Sequence, residues 1–394
     1  MNPWDLRRSS GPSSTGIGAG ISAALAVIGI GTDTSGSIMN PSSFCGLFGL
    51  RSSTGVVEID GIFPNLAKSD AVGPLTKYID DLVLTYSIMS NKKDIYEKYL
   101  QEDSSKINIG IVEAFWNNFN ISYELFGDFT YKFDEQVYET LNNSVNNFAK
   151  LNYKIIDIKV NQTEFNELNQ LSLQIIITGL YNCIDSCYKA SVEKYLNDAE
   201  RFQSDSPYNN YQEMLSSPLL SEFWHERFNR SNFPNPDETC RVECETHDLL
   251  RSRFVEYVNA WFSKSGADVL LFPTSLDLAF FINSTEPLNN ASPTFIAPYT
   301  GLPSLNIPVG FSKPDKYAPD GLPIGLMMIT QRDNLLSAFK LAKVYEKNYP
   351  INSKLPELTP RLFYKEDATC NRSSPHLITN NIYYFILFVI TKLL

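Results

Sequence analysis

Two runs of small residues near the start of the chain limit what it can fold into. Residues 9–20 (SSGPSSTGIGAG) are small and polar and cannot form a core, whereas Ile21–Val27 is Ala-rich and apolar and suits a buried helix. The reading is a loop that feeds a helix. Val27–Gly31 then reads as a short buried strand, and Thr32–Ser37 as a turn built from Thr, Asp, Ser and Gly. With so little side chain in either loop, backbone amides can approach one another and a ligand closely.

Further along, the periodicity predicts a helix over Tyr78–Ser90, a strand at Ile107–Val112, an amphipathic helix over Phe133–Leu151 and a strand at Lys154–Val160. A long helix-rich region follows. Ala267–Phe272 reads as a strand ending at Pro273, Ser304–Val309 and Ile324–Ile329 as two more, and Leu335–Lys347 as a final helix. Strands that alternate with helices imply an α/β sandwich around a mainly parallel or mixed sheet. There is no internal repeat and no low-complexity linker, so one domain is expected.

A chain of 394 residues, 43% of them hydrophobic, can bury a substantial core. Its 44 acidic residues outnumber 33 lysines and arginines, for a net charge of -11, and no basic block stands out; a nucleic-acid partner is therefore not expected. No run reaches the roughly 20 apolar residues of a membrane-spanning helix. The segment Ile382–Leu394 (IYYFILFVITKLL) is apolar but short and is interrupted by Lys392. It reads as translated AT-rich sequence or a disordered tail over 357–394, with a lipid-anchor signal as the only route to a membrane.

Four of six cysteines form C-x3-C pairs, Cys183 with Cys187 and Cys240 with Cys244, each in a helix-like stretch that puts two thiols on one face. Stapled as disulfides they imply a secretory or extracellular setting, as do sequons such as Asn161-Gln162-Thr163. As ordinary buried thiols they are compatible with the cytoplasm. A four-cysteine zinc site is the third reading, although zinc pairs usually sit on turns with shorter spacing; these readings stay open, as does the oligomeric state.

The stretch that speaks to chemistry is Gly11–Leu50, in which Ser13 and Ser37 stand 24 positions apart. It resembles the amidase signature, where a Gly- and Ser-rich loop, an Ala-rich helix and a strand lead to a second loop holding a nucleophilic serine. The resemblance continues through Cys45-Gly46-Leu47-Phe48-Gly49-Leu50, Asp60-Gly61-Ile62-Phe63-Pro64 and Val72-Gly73-Pro74. It returns in Leu270-Leu271-Phe272-Pro273-Thr274, Gly301-Leu302-Pro303-Ser304 and Gly321-Leu322-Pro323-Ile324-Gly325-Leu326. It implies an α/β/α sandwich around a mixed, mainly parallel sheet over residues 1–356. Within that domain, 1–91 would form the signature core, 92–265 a helix-rich wall of the substrate channel and 266–356 the rest of the core. Aromatics such as Trp116, Phe119, Tyr181, Trp224 and Phe228 could line that channel or simply pack in the core.

The resemblance also implies roles. Ser37 attacks a small-molecule amide, Ser13 relays its proton, and backbone amides of Thr34, Ser35, Gly36 and Ser37 hold the oxyanion. Ser14 joins the substrate-binding set and Asp33 supports the loop. Neither a metal nor an organic cofactor is needed. A glutaminase-like protein similar to the A subunit of the transfer-RNA amidotransferase is the second enzyme reading, and an inactive amidase-like binding protein the third.

A serine hydroxyl is too weak an acid to act unaided, and in the family a lysine preceding the relay serine by several tens of residues takes the proton. Only 12 residues precede Ser13 and the first lysine is Lys68, so the resemblance implies a chain truncated at its N-terminus and lacking its base. Arg7 and Arg8 cannot substitute, because a guanidinium keeps its proton. Activity is expected to be weak or absent. Three departures point the same way: Pro12 precedes the serine that the family holds after a cis bond, Ser35 replaces a glycine, and Met39 replaces an arginine that would have paired with Asp33. Other templates fail: there is no G-x-S-x-G elbow, and His225, His247 and His376 lie in no catalytic or metal motif.

Overall fold

The computed structural model describes residues 1–66, 68–101, 106–123, 127–177, 191–196, 208, 210–218, 236–282, 292–351, 354 and 356. Ten strands are found among them: β1 (Ile28–Asp33), β2 (Phe48–Arg51), β3 (Ala71–Thr76), β4 (Asn108–Val112), β5 (Phe119–Tyr123), β6 (Gly127–Tyr131), β7 (Lys154–Ile158), β8 (Val269–Pro273), β9 (Ser304–Phe311) and β10 (Pro323–Thr330). Eight of these form one sheet in the order β1-β3-β2-β9-β10-β8-β4-β7, while β5 and β6 make a separate hairpin. Every residue of β8 and β10 is buried, so both faces of the sheet centre are covered, as an α/β layered fold requires.

The sheet is mixed, as expected, but five of its seven pairings are antiparallel; only β4 with β7 and β4 with β8 run parallel. The connections explain the correction. β4, β7 and β8 are separated by helices α5 (Glu135–Lys150), α6 (Gln162–Ile177) and Pro236–Ser265, which supply the crossovers that parallel strands need. β2 reaches β3, and β9 reaches β10, without a helix among the described residues, so those chains turn back on themselves.

The helix expected at Ile21–Val27 lies earlier, as α1 (Thr15–Ser22), and the glycines expected in the loop are part of it. A Cβ at Gly18 would lie 3.1 Å from Pro41 Cβ and 3.3 Å from Cys45 Sγ, so the missing side chain lets α1 rest on α2 (Met39–Cys45). The helix stops where Ala24 turns left-handed at φ 57°. β1 is also not the buried strand expected. It is an edge strand, bonded only to β3 in this sheet, and Ile28 and Ile30 are exposed.

α3 (Ile79–Met89) and α4 (Lys93–Leu100) follow β3. α5 starts where the Asp134 carboxylate accepts from Gln136 N (2.9 Å) and Val137 N (3.2 Å), and it buries Val137, Leu141, Ser144 and Phe148 on one stripe against β9 and β10. Backbone contacts divide the chain into two units, Met1–Glu357 and Leu358–Leu394, the second outside the described residues along with the expected tail. Cys183 and Cys187 also lie outside them. Cys240 and Cys244 fall in the helix Pro236–Ser265, at positions whose side chains are outside the description. Among the described residues, no helix is long and apolar enough to cross a membrane.

Candidate functional site

β1 ends at Asp33, and the next five residues are arranged around its carboxylate. Oδ1 accepts from Gly36 N at 2.9 Å, and Oδ2 accepts from Ile38 N at 2.8 Å and Met39 N at 3.4 Å. An acceptor with two oxygens thereby takes three amides of the loop and the first turn of α2. Gly36 bends at φ 112°, a conformation open to glycine, and a Cβ there would lie 2.6 Å from Thr294 Oγ1. Thr294 in turn donates to Ser35 O (3.4 Å). Thr34 Oγ1 donates to Asp70 Oδ1 at 2.6 Å, while Asp70 Oδ2 accepts from Asn65 N and Leu66 N. Two distant segments, 65–70 and Thr294, therefore add to the hold of Asp33 on the loop.

The expected loss of Asp33's ionic partner does not occur. Arg51, at the end of β2, places Nε 3.5 Å from Asp33 Oδ1, both side chains fully buried. Arg51 Nη1 donates to Ser52 O (3.1 Å) and Leu302 O (3.0 Å), and Nη2 to Thr54 Oγ1 (3.2 Å) and Ser69 O. Burial pulls the guanidinium down to about 10 and Arg251 adds to this, opposed by Asp33 and Asp70. Met39 can be neutral because this cation arrives from β2, one strand beyond β3.

Ser37, half-buried, directly precedes the N-cap of α2. Its hydroxyl has no hydrogen-bond partner among the described residues, and neither do the N–H groups of Ser35 and Ser37. The Gly36 amide, expected in the oxyanion set, is committed to Asp33 instead. Ser14, expected among the substrate contacts, is buried, and its hydroxyl donates to Thr32 O (3.1 Å) and accepts from Thr32 N (3.2 Å). It sews the first loop to β1.

Ser13 is exposed and left-handed at φ 65°. It hangs between Ser14, bonded to β1, and Gly11, whose open side faces Pro41 N at 2.6 Å. The two serine loops thus meet at α2, but no hydrogen bond joins the Ser13 and Ser37 hydroxyls. The cis Pro12–Ser13 bond implied by the resemblance is absent, since all described peptide bonds are trans; the chain reverses through Ser13's left-handed backbone. Of the lysines flanking β3, Lys68 pairs with Asp248 at the surface. Lys77 is half-buried, and burial lowers its pKa, but it follows Thr76, which pairs with Ile28, whereas Asp33 pairs with Ala71. It therefore sits at the opposite end of β1 from the nucleophile loop.

Of the aromatics expected to line a channel, Trp116 is in the core, donating from Nε1 to Leu271 O (3.2 Å), although its edge reaches a cleft of about 710 Å³ with Phe133, Asp134, Tyr138 and Asp277. Burial, then Asp134, raises Asp277 to about 6. Phe119 lies in β5 without a described side chain, and Tyr181, Trp224 and Phe228 fall outside the described residues. His225 and His376 do too. Among the described residues, no group of three or more His, Cys, Asp or Glu side chains could hold a metal.

A protein-family model described as Amidase matches residues 1–334. The chain is 27% identical over 387 residues to the A subunit of glutamyl-tRNA(Gln) amidotransferase from Caldanaerobacter subterraneus subsp. tengcongensis, an alignment covering 90% of this chain and 70% of that one. It is 29% identical to the corresponding subunit of Prochlorococcus marinus subsp. pastoris, covering 91% and 71%. Among solved structures, the peptide amidase of Stenotrophomonas maltophilia superposes with a TM-score of 0.66 at 20% identity, over 90% of this chain and 69% of that one. The glutamyl-tRNA(Gln) amidotransferase A subunit from Thermotoga maritima does so with a TM-score of 0.62 at 22% identity, over 91% and 71%. Both superpositions show a shared fold.

Proposed function

The chain belongs to the amidase family, and from that premise we propose that it hydrolyses a small-molecule amide through an acyl-enzyme on Ser37, with Ser13 as proton relay. The observation that carries this reading is the loop anchored on Asp33. By taking the amides of Gly36, Ile38 and Met39, the carboxylate leaves those of Ser35 and Ser37 without a partner among the described residues, beside a Ser37 hydroxyl that has none among them either. Ser37 Oγ forms a bond to the carbonyl carbon as the π pair moves onto oxygen, toward those two amides. A positioned donor of this kind is worth roughly 3–4 kcal/mol. Ser13 takes the Ser37 proton as it gives its own to the departing nitrogen and the C–N bond breaks; water next takes the place of the amine and the steps repeat in reverse.

Ser13 must swing toward Ser37 for this, from an exposed position between the buried Gly11 and Ser14. No hydrogen bond joins a lysine to Ser13 among the described residues, so slow acylation of this chain is expected. Intact-protein mass spectrometry after exposure to a fluorophosphonate probe tests the reading. A slow adduct is expected on Ser37, absent in Ser37→Ala and slower still in Ser13→Ala. No adduct after prolonged exposure to saturating probe would overturn the hydrolase reading in favour of an inactive binding protein.

Similarity to the amidotransferase subunits favours a second reading, glutamine as the amide donor within a larger assembly. Ammonia release from glutamine faster than from simple aliphatic amides would select it.

A further inference from the structure

The loop that presents Ser37 is held at Thr34 by Asp70 and at Ser35 by Thr294, but the amides on either side of Ser37 bond to Asp33, and Asp33 lies beside the Arg51 cation. We propose that Arg51 is the positioning residue of the nucleophile loop: through Asp33 it sets which amides turn inward and which are left facing a bound carbonyl. The role of Ser37 in this proposal rests on the reading above.

The geometry runs in one line. Arg51 is fixed by four donations to Ser52 O, Leu302 O, Thr54 Oγ1 and Ser69 O, groups belonging to the segment after β2, the turn before β9 and the segment before β3. Its remaining donor, Nε, has no hydrogen-bond acceptor and points its charge at Asp33 Oδ1, 3.5 Å away. Asp33 then holds Gly36, Ile38 and Met39 on both sides of Ser37. With neither side chain exposed, water cannot replace the guanidinium, so its loss leaves a buried carboxylate uncompensated. A loop free to turn its amides elsewhere then has reason to do so. Met39, whose amide is 3.4 Å from Asp33 Oδ2, is a second position from which a cation could reach the same carboxylate.

The test uses the full chain and four forms: wild type, Arg51→Lys, Arg51→Met, and Arg51→Met combined with Met39→Arg. Amide hydrogen exchange is read for residues 33–39 against β8 and β10, and Ser37 acylation by the fluorophosphonate is resolved into probe affinity and maximal rate. Arg51→Met is expected to speed exchange at 36, 38 and 39 at least tenfold relative to β8 and β10, and to lower the maximal rate tenfold or more with little change in affinity. Arg51→Lys, which keeps charge but not the planar fork, should lie between, and the double variant should regain protection. Unchanged exchange at 36–39 in folded Arg51→Met overturns the proposal, as does an equal rise throughout the sheet. Should Arg51→Met fail to fold, Arg51→Lys decides: exchange at 36, 38 and 39 faster than wild type together with a lower maximal acylation rate supports the proposal, and wild-type exchange there or wild-type acylation overturns it. If wild type itself takes no probe, the Ser37 reading fails while the exchange comparison still decides the role of Arg51.

Discussion

Gly36 shows how little freedom the nucleophile loop has. Alanine there is opposed by a backbone at φ 112°, a strain of about 1–3 kcal/mol for a residue with a side chain, and by Thr294 Oγ1 2.6 Å from the new carbon. Gly36→Ala is therefore expected to lower the unfolding free energy by about 1–3 kcal/mol and to slow Ser37 labelling at least tenfold. Adding Thr294→Ala should relieve the clash but not the strain, so urea unfolding should show partial recovery. Equal midpoints for all three proteins would sink the account. Ser13, Ser37 and Asp33 enter as candidates through the resemblance to the amidase signature, which local runs of residues carry. Arg51 could not be found that way: its relation to Asp33 exists only once β3 lies between β1 and β2, and one arginine in a short strand looks like any other. The duties of Ser14 and of the Gly36 amide were hidden for the same reason, since both are hydrogen bonds rather than residue types.

At the scale of elements, long periodic segments could be read within a few residues: Glu135–Lys150, Lys154–Ile158, Val269–Pro273 and Leu335–Asn348 all lie where alternation or amphipathic stripes put them. β2 and β3 were missed because Gly49, Gly73 and Pro74 interrupt their patterns. Gly73 is needed there, for a Cβ on it would sit 1.7 Å from Leu50 O as β2 crosses it. The helix Pro236–Ser265 carries a consequence that can be measured through His247. Fully buried where this helix packs on α6, His247 is held down to about 4 by burial first and by Arg251 and Lys68, against Asp248 and a backbone bond to Ile175. The unfolded chain, near 6.5, takes up the proton first as pH falls. Its stabilising contribution is complete above 6.5 and is lost by about 1.4 kcal/mol per pH unit on the way down to 4. Asp277, raised to about 6, works in the opposite direction, so only the difference between wild type and a variant isolates His247. His247→Leu should reduce the fall in urea midpoint between pH 7 and pH 5, and equal falls would refute the assignment.

At the scale of the whole unit, the first ten residues are a strap that joins parts of the chain far apart in sequence. Trp4 Nε1 donates to Ser22 Oγ (3.0 Å) at the end of α1 and to Cys45 O (3.1 Å) at the end of α2, while its ring lies 5.0 Å from Phe311 and packs with Ala318 and Leu322. Asn2 Nδ2 reaches Phe44 O (2.9 Å), and Arg8, braced by the buried Asp5, bonds Ala279 O. The loops bearing Ser13 and Ser37 are thereby tied to the β9–β10 connection and to the segment after β8. Trp4→Ala opens a cavity at that junction and removes two hydrogen bonds, an expected loss of about 3–5 kcal/mol. Trp4→Phe keeps most of the packing but leaves Cys45 O and Ser22 Oγ without their donor, and should cost about 1–3 kcal/mol. The order of the two denaturation midpoints, Phe above Ala and both below wild type, is the observable. If the strap only decorated the surface, both variants would unfold with the wild type. If it holds the junction, hydrogen exchange in Trp4→Ala should rise together at α1, α2 and residues 311–322, the three segments that this indole touches.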